Sequence, residues 1–431
     1  MRRSLGLLLS LALFGCSGDA PATTPDDTGG GDDGAVDTGA ATDGTTDTGT
    51  PADGAADTGT PTDTGTPTDT GTPTDTGVDA PPASTKWVMG YYVGYERALY
   101  PAAEIDFTAL THLAIGRIVP KADGTLNETF DIDPTSGPAM AKDLVTRAHT
   151  AGRKAILMIG GAGEHAGWVG AASAANRAGF VTRLLAARDT YKADGFDLDW
   201  EPIEAGDQAN FVALAKAIRA AWPAAILTVP AGWVTMNAPT VDPTWVELAK
   251  TVDQVNLMTY GMAGAWGGWQ SWHSSALLGE SASMPSSVDV NVKNYVKAGV
   301  PAAKLGVGIG FYGSCWRGVS AVRLPIGGAS IVADDGTMSF SRIMASYYDA
   351  AAYHYDAAAK APWLGFSTGK GPSACTLVTY EDETSVADKG KYVKDNALGG
   401  TIIWTIGQGH VSTAPAGSKD PLLTAVKKAF L

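Results

Sequence analysis

Histidine and cysteine are scarce, six and three residues in a chain of 431. The histidines are scattered and the acids that could join them are committed elsewhere, so no group has the spacing of a metal site, and neither a metal nor any other cofactor is expected. A basic surplus is missing as well. Lys and Arg number 31 against 45 Asp and Glu, which leaves no basic face for nucleic acid. The N-terminal apolar run, Leu5 to Phe14, is too short to cross a bilayer as a permanent helix. Acidity is abundant but local. Fourteen Asp lie between Cys16 and Lys86 in a stretch without Lys, Arg or Glu, so the rest of the chain is nearly neutral. The acidic overall balance therefore reports a tail and not an acidic globule. Almost all of the 12 Trp, 14 Tyr and 10 Phe follow that tail, which excludes disorder there and supplies rings for a core and for stacking on sugars.

The N-terminus reads as an address. Arg2 and Arg3, the apolar run and Leu13-Phe14-Gly15-Cys16 resemble a bacterial lipoprotein signal, residues 1–15, with Cys16 as the lipidated residue. Ser17 rather than Asp after the cysteine favours the outer membrane or cell surface of a Gram-negative cell. Residues 16–85 are expected to be a tether. Asp57, Asp63, Asp69 and Asp75 recur every six residues in Asp-Thr-Gly-Thr-Pro-Thr, and Val36 and Val78 are the only larger apolar side chains from Ser17 to Thr85. Such a segment buries too little to offset its ordering entropy, and as a flexible coil it would span roughly 45 Å. Its acids are spaced by Gly and Pro without a closed calcium loop. With Cys16 assigned to lipid, Cys315 and Cys375 remain, either as a disulfide in an oxidising compartment or as two buried thiols.

From Lys86 to Leu431 eight short β-rich runs alternate with amphipathic stretches. The runs are Trp87 to Val93, Leu110 to Ile118, Lys154 to Gly160, Gly195 to Glu201, Ala225 to Ala231, Gln254 to Tyr260, Leu305 to Phe311 and Gly400 to Ile406. Eight such units predict an α/β fold, a (β/α)8 TIM barrel with its site at the C-terminal ends of the strands. About ninety residues separate the seventh and eighth runs, so a small α+β insertion is expected at about 317–380.

The fourth run is Asp194-Gly195-Phe196-Asp197-Leu198-Asp199-Trp200-Glu201. Side chains alternate across a strand, so Asp197, Asp199 and Glu201 share one face. Three carboxylates in a row inside a barrel cannot all ionise at low cost, and at least one should be held protonated, ready to donate. A merely solvated acidic edge would not interleave Phe196, Leu198 and Trp200.

This run resembles the Asp-Gly-x-Asp-x-Asp-x-Glu signature of glycoside hydrolase family 18, the chitinases and their relatives. Gly90-Tyr91-Tyr92, Thr111-His112-Leu113, Met258-Thr259-Tyr260, Phe311-Tyr312-Gly313 and Gly399-Gly400-Thr401-Ile402-Ile403-Trp404 extend the resemblance over 86–431. It implies Glu201 as general acid and then base, Asp199 orienting the substrate's 2-acetamido group, Asp197 holding Asp199, and Tyr260 bonding the acetamido carbonyl. The substrate's own acetamido oxygen is then the nucleophile, an exception to the two-carboxylate scheme. Tyr91, Met258, Trp233, Trp266 and Trp404 are the implied substrate contacts, with Trp404 as the floor under the cleaved sugar.

Two positions depart from the pattern. Met158 stands where the family commonly has Ser, removing a hydroxyl near Asp197, and Gly261 follows Tyr260 where it commonly has Asp. Trp233 and the Gly-rich Trp266, Trp269 and Trp272 segment place four indoles on barrel-top loops, suited to sugar faces, while His273 suits a loop-fixing hydrogen bond. The expectation is a surface-tethered, monomeric glycosidase acting on chitin or other N-acetylglucosamine-containing oligosaccharides. The alternatives are an endo-β-N-acetylglucosaminidase on N-glycans and a non-catalytic chitinase-like lectin. Non-catalytic relatives usually lack the acid that Glu201 supplies here.

Overall fold

The computed structural model describes residues 86–431. The expected signal, Cys16 and the expected tether lie outside the described residues. Eight parallel strands close on themselves: β1 (Trp87–Val93), β2 (His112–Pro120), β3 (Lys154–Ala162), β4 (Gly195–Glu201), β5 (Ile226–Ala231), β6 (Gln254–Leu257), β7 (Leu305–Gly310) and β8 (Gly400–Trp404). Each pairs with its neighbours in chain order, and β8 and β2 both pair with β1, which shuts the barrel. Helices such as Ser136–Thr150, Arg177–Tyr191 and Gln208–Ala221 form the outer layer.

The strands are buried on both faces, as parallel strands covered by helices must be. Every residue of β1 is buried. Its odd positions, Met89, Tyr91 and Val93, join Ala114, Ile156, Met158 and Ile402 in the barrel interior. Val88 and Tyr92 face the other way, into the much larger layer between strands and helices. The same alternation governs β4. Phe196, Leu198 and Trp200 pack outward, where the Trp200 ring stacks on Trp168 with centroids 5.4 Å apart, so the intervening acids must point into the barrel.

The segment between β7 and β8 forms a five-stranded antiparallel sheet with the order Ser330–Ala333, Ser314–Arg317, Cys375–Thr379, Ala361–Lys370, Tyr353–Asp356, and a short helix, Phe340–Ser346. It begins at Ser314, a little before the expected boundary, because Phe311-Tyr312-Gly313 turns directly from β7 into its first strand. Cys315 and Cys375, on adjacent strands, are joined by a disulfide with Cα atoms 5.3 Å apart. Trp272, Trp316 and Leu377 make a second core beneath this sheet. Lys389, wholly buried, meets Glu381 at 2.7 Å and donates to the Ser275 carbonyl, tying the end of the insertion to the loop after β6.

Candidate active site

The row of acids runs from the interior to the mouth of the barrel. Asp197 is 0% exposed and Asp199 3%, while Glu201 at the strand end is half-buried. The innermost carboxylate is fixed from both sides. Tyr91 on β1 donates its hydroxyl to Asp197 Oδ2 at 2.8 Å, and the Thr228 hydroxyl on β5 donates to Oδ1. Asp197 lies in register with Met158 on one side and Thr228 on the other. The hydroxyl missing at Met158 is thus supplied from the opposite neighbour, and Asp197 is not left short of donors.

Burial raises all three acids. Asp197 is pushed up to about 6 by desolvation, against the pull of the Thr228 and Tyr91 hydroxyls. Asp199 is raised furthest, by burial and then by the charges of Glu201 and Asp197 on either side. Burial also raises Glu201, partly offset by a hydrogen bond from Asp199. The cheapest arrangement near neutral pH places a proton on Asp199, whose other oxygen, Oδ1, is buried without a partner. That unsatisfied atom is a place where a substrate group could bind.

Above the acids opens a cleft of about 400 Å³, and every strand, or the residues just beyond it, contributes to its wall. Tyr91 comes from β1, Arg117 from β2, Met158 from β3, Asp199 and Glu201 from β4, Pro230 from β5, Met258 and Tyr260 from beyond β6, Tyr312 from beyond β7 and Trp404 from β8. The Tyr91 and Trp404 rings lie 5.3 Å apart, and Tyr260 meets Tyr312 edge-on at 6.0 Å. Gly160, at φ +93°, lets β3 approach closely, since a Cβ there would lie 2.4 Å from the Asp199 carbonyl. Of the residues expected to serve the site, Asp197, Asp199, Glu201, Tyr260, Tyr91, Met258 and Trp404 come together here.

Trp233 and Trp266 lie beyond this cleft. They form a separate row with Trp269, centroids 6.0 Å and then 4.7 Å apart, and Trp266 is 36% exposed. Trp272 belongs to the core instead. Its indole N–H donates to the Ser286 carbonyl at 2.8 Å, and Arg323 covers its ring at 4.9 Å. His273 is buried and bonds Asp356 at 3.1 Å, a loop-fixing contact between barrel and insertion.

The profile of glycosyl hydrolases family 18 matches residues 87–409. The chain belongs to this family. It is similar to Chitinase A1 of Niallia circulans, 30% identical over 269 residues that cover 55% of this chain and 38% of the relative. Endochitinase 1 of Metarhizium anisopliae is 28% identical, with 64% of this chain and 65% of the relative covered. The chain thus spans less than two thirds of the length of either. Among solved structures, the family 18 N-acetylglucosaminidase of Paenibacillus barengoltzii is 26% identical with a TM-score of 0.64, over 80% of this chain and 99% of that one.

Four residues of the family 18 cleft were not among the expected site residues. Tyr95, in the turn after β1, and Tyr312 line its walls. Arg117 meets Asp131 at 2.9 Å and Glu164 at 3.0 Å and donates to the Gly160 carbonyl at 3.2 Å, bracing the β2 and β3 ends. Asp335 is carried in by the insertion, where it accepts from the Trp404 indole at 3.2 Å and from Gln408 at 2.7 Å. Gly261, with φ +63°, carries no carboxylate to the cleft, and Asp335 brings one from the insertion. Arg117 and the Phe311-Tyr312 turn carry strand-end signals in the sequence, whereas nothing local marks Asp335.

Proposed function

We propose that this protein hydrolyses β-1,4-linked N-acetylglucosamine polymers or oligomers with retention of configuration, using the substrate's acetamido oxygen as nucleophile. The observation that carries the reading is the graded row of three inward acids. Glu201, at the mouth with its carboxyl raised by burial, donates a proton to the glycosidic oxygen as the bond breaks. As substrate binds, Asp199 passes its proton to Glu201 along their hydrogen bond and, now a carboxylate, turns Oδ1 to the acetamido N–H, orienting the carbonyl oxygen for attack and stabilising the charge that grows on nitrogen. Asp197, anchored by Tyr91 and Thr228, supplies a fixed negative neighbour that Asp199 can lean on. The Tyr260 hydroxyl binds the acetamido carbonyl, and Trp404, its indole held by Asp335, is the floor under the sugar. Glu201 as carboxylate then activates water against the cyclised intermediate, which returns the β anomer. Trp233, Trp266 and Trp269 offer a platform for sugars farther along the chain.

The product profile on N-acetylglucosamine oligomers and on a high-mannose glycopeptide tests this reading. Cleavage of the oligomers supports it. Cleavage of the glycopeptide alone would make the protein an N-glycan endoglycosidase, and binding without cleavage of either would make it a lectin.

We infer further that the enzyme is exported and lipid-anchored as a monomer at Cys16, at the outer membrane or cell surface. The signal-like N-terminus and the acidic tether support this, and the Cys315–Cys375 disulfide suits an oxidising compartment. Cys16→Ala should move the protein from the membrane to the soluble fraction, and a mutant that still sediments with membranes contradicts the anchor.

A further inference from the structure

Three turns from separate parts of the chain meet at the edge of the Trp404 floor. Gly94–Glu96 follows β1, Ile406–Gly409 follows β8, and Asp335–Thr337 belongs to the insertion. Each brings one polar side chain to the junction: Glu96 and Gln408, both buried, and Asp335, half-buried.

The amide of Gln408 joins the two acids. Its Nε2 donates to Asp335 Oδ1 at 2.7 Å, and the same side chain bonds Glu96, whose Oε2 also accepts from the Thr405 hydroxyl at 2.6 Å. Asp335 takes the Trp404 indole N–H on its other oxygen at 3.2 Å. The insertion turn sits close against Glu96, since a Cβ at Gly336 would lie 3.7 Å from Glu96 Oε1. A line of contacts thus runs from the barrel, through Gln408 and Asp335, to the ring of Trp404.

Apolar side chains would seat the insertion at lower cost than two carboxyls and an amide. Gln408 Oε1 is moreover buried with no partner among the described residues, so the amide is spent on the two acids alone. Burial raises both, Glu96 to about 7, and the charge of Asp335 adds to the rise of Glu96. Asp335, with two N–H donors, ionises first, and Glu96 keeps its proton up to about neutral pH. The surrounding groups do not cancel that second charge. Asp334 adds a further acid beside Asp335, Tyr95 is raised by burial and stays neutral, and Arg117 in the cleft wall is already held by Asp131 and Glu164.

We propose that Gln408 and Glu96 are positioning residues for the reaction, acting through Asp335 to fix the Trp404 ring under the sugar and to keep the insertion seated on the barrel mouth. The proposal rests on the reading of Trp404 as the sugar floor. While Glu96 is neutral, Gln408 bridges the acids without repulsion. As pH rises through about 7 the second charge appears, and the floor loses its brace.

The test measures binding of N-acetylglucosamine pentamer by calorimetry, in the full chain carrying Glu201→Gln so that turnover does not enter. Gln408→Met keeps the volume but not the donor. It should bind about three- to tenfold more weakly, a part of what a hydrogen bond to a charged group is worth, because the loss reaches the sugar through Asp335 and Trp404. In an Asp335→Ala chain the same substitution should cost less than about twofold more, since its route to the floor is already gone. Binding favours neutral Glu96, so affinity is full below pH 7 and declines above it. From pH 6 to pH 8 the parent should lose about three- to tenfold more affinity than Glu96→Gln, which mimics the protonated acid throughout. Unchanged binding in Gln408→Met, additive losses with Asp335→Ala, or equal pH dependence in parent and Glu96→Gln would each reduce the junction to a structural joint and overturn the proposal. If Gln408→Met does not fold, as judged by its near-ultraviolet circular dichroism, the Glu96→Gln comparison decides alone. A parent that does not bind the pentamer at all contradicts the substrate reading instead, and the proposed brace falls with it.

Discussion

Removing the Tyr91 hydroxyl isolates the innermost acid of the row. In Tyr91→Phe the ring stays against Trp404, but Asp197 keeps only the Thr228 hydroxyl as donor. A hydrogen bond to a charged group is worth about 1.5–3 kcal/mol, which corresponds to about one to two pH units of carboxyl affinity for its proton. The Asp197 carboxyl, already pushed up to about 6 by burial, should therefore rise by that amount. The sign follows from linkage. A carboxyl raised by folding makes the native chain bind more protons than the unfolded one, so its contribution to stability is present below the unfolded value and is lost as pH rises through the folded one. In the variant that loss continues past pH 6 until Asp197 has ionised. The stability difference between parent and variant should thus be small at pH 4 and larger by about 1.5–2.5 kcal/mol at pH 8, read by denaturant titration at several pH values. The acidic limb of kcat/KM should move to higher pH by the same interval, because Asp199 then lacks its anionic neighbour over that range. A stability difference constant with pH, together with an unmoved limb, would refute the assignment of Asp197 as the ionised support of Asp199.

Two other perturbations probe different parts of the molecule. Glu201→Gln keeps the shape of the strand end but withdraws the proton donor, and kcat should fall by about 10²–10⁴-fold while oligosaccharide binding, measured by calorimetry, persists. Retained turnover would displace Glu201 from the acid role. Glu96, which accepts from the Thr405 hydroxyl, is pushed up to about 7 by burial, so it favours folding at low pH and that advantage is lost as pH rises from about 4.5 to about 7. Glu96→Gln should therefore flatten the fall in stability across that window, by up to about 3 kcal/mol. An identical pH profile in parent and variant would show that Glu96 ionises freely in the folded chain.

The strands were legible because a parallel barrel strand is buried on both faces and writes a short apolar run into the sequence, as Trp87–Val93 and Leu305–Gly310 do. The acids of β4 were legible for the converse reason, since a carboxylate at every second position contradicts burial unless chemistry requires it. What local pattern could not supply is which distant segments fold over the barrel mouth. Asp335 enters the cleft only because the insertion sheet seats its turn against Trp404 and Gln408. Trp272 has the same Gly-rich surroundings as Trp266, yet it is buried, because that sheet and Arg323 close over it while Trp266 faces outward. The satisfaction of Asp197 despite Met158 depends on register across β3, β4 and β5, which pairs Met158 with Asp197 and Asp197 with Thr228.

Substrate assistance is the central claim, and the anomeric form of the first product tests it most directly. Proton NMR recorded within the first minutes of hydrolysis of an N-acetylglucosamine oligomer, before mutarotation, should show the β anomer at the new reducing end. The matching glucose oligomer, lacking the acetamido nucleophile, should not be cut. An α-anomeric first product, or equal rates on the two oligomers, would contradict the roles given to Asp199 and Glu201.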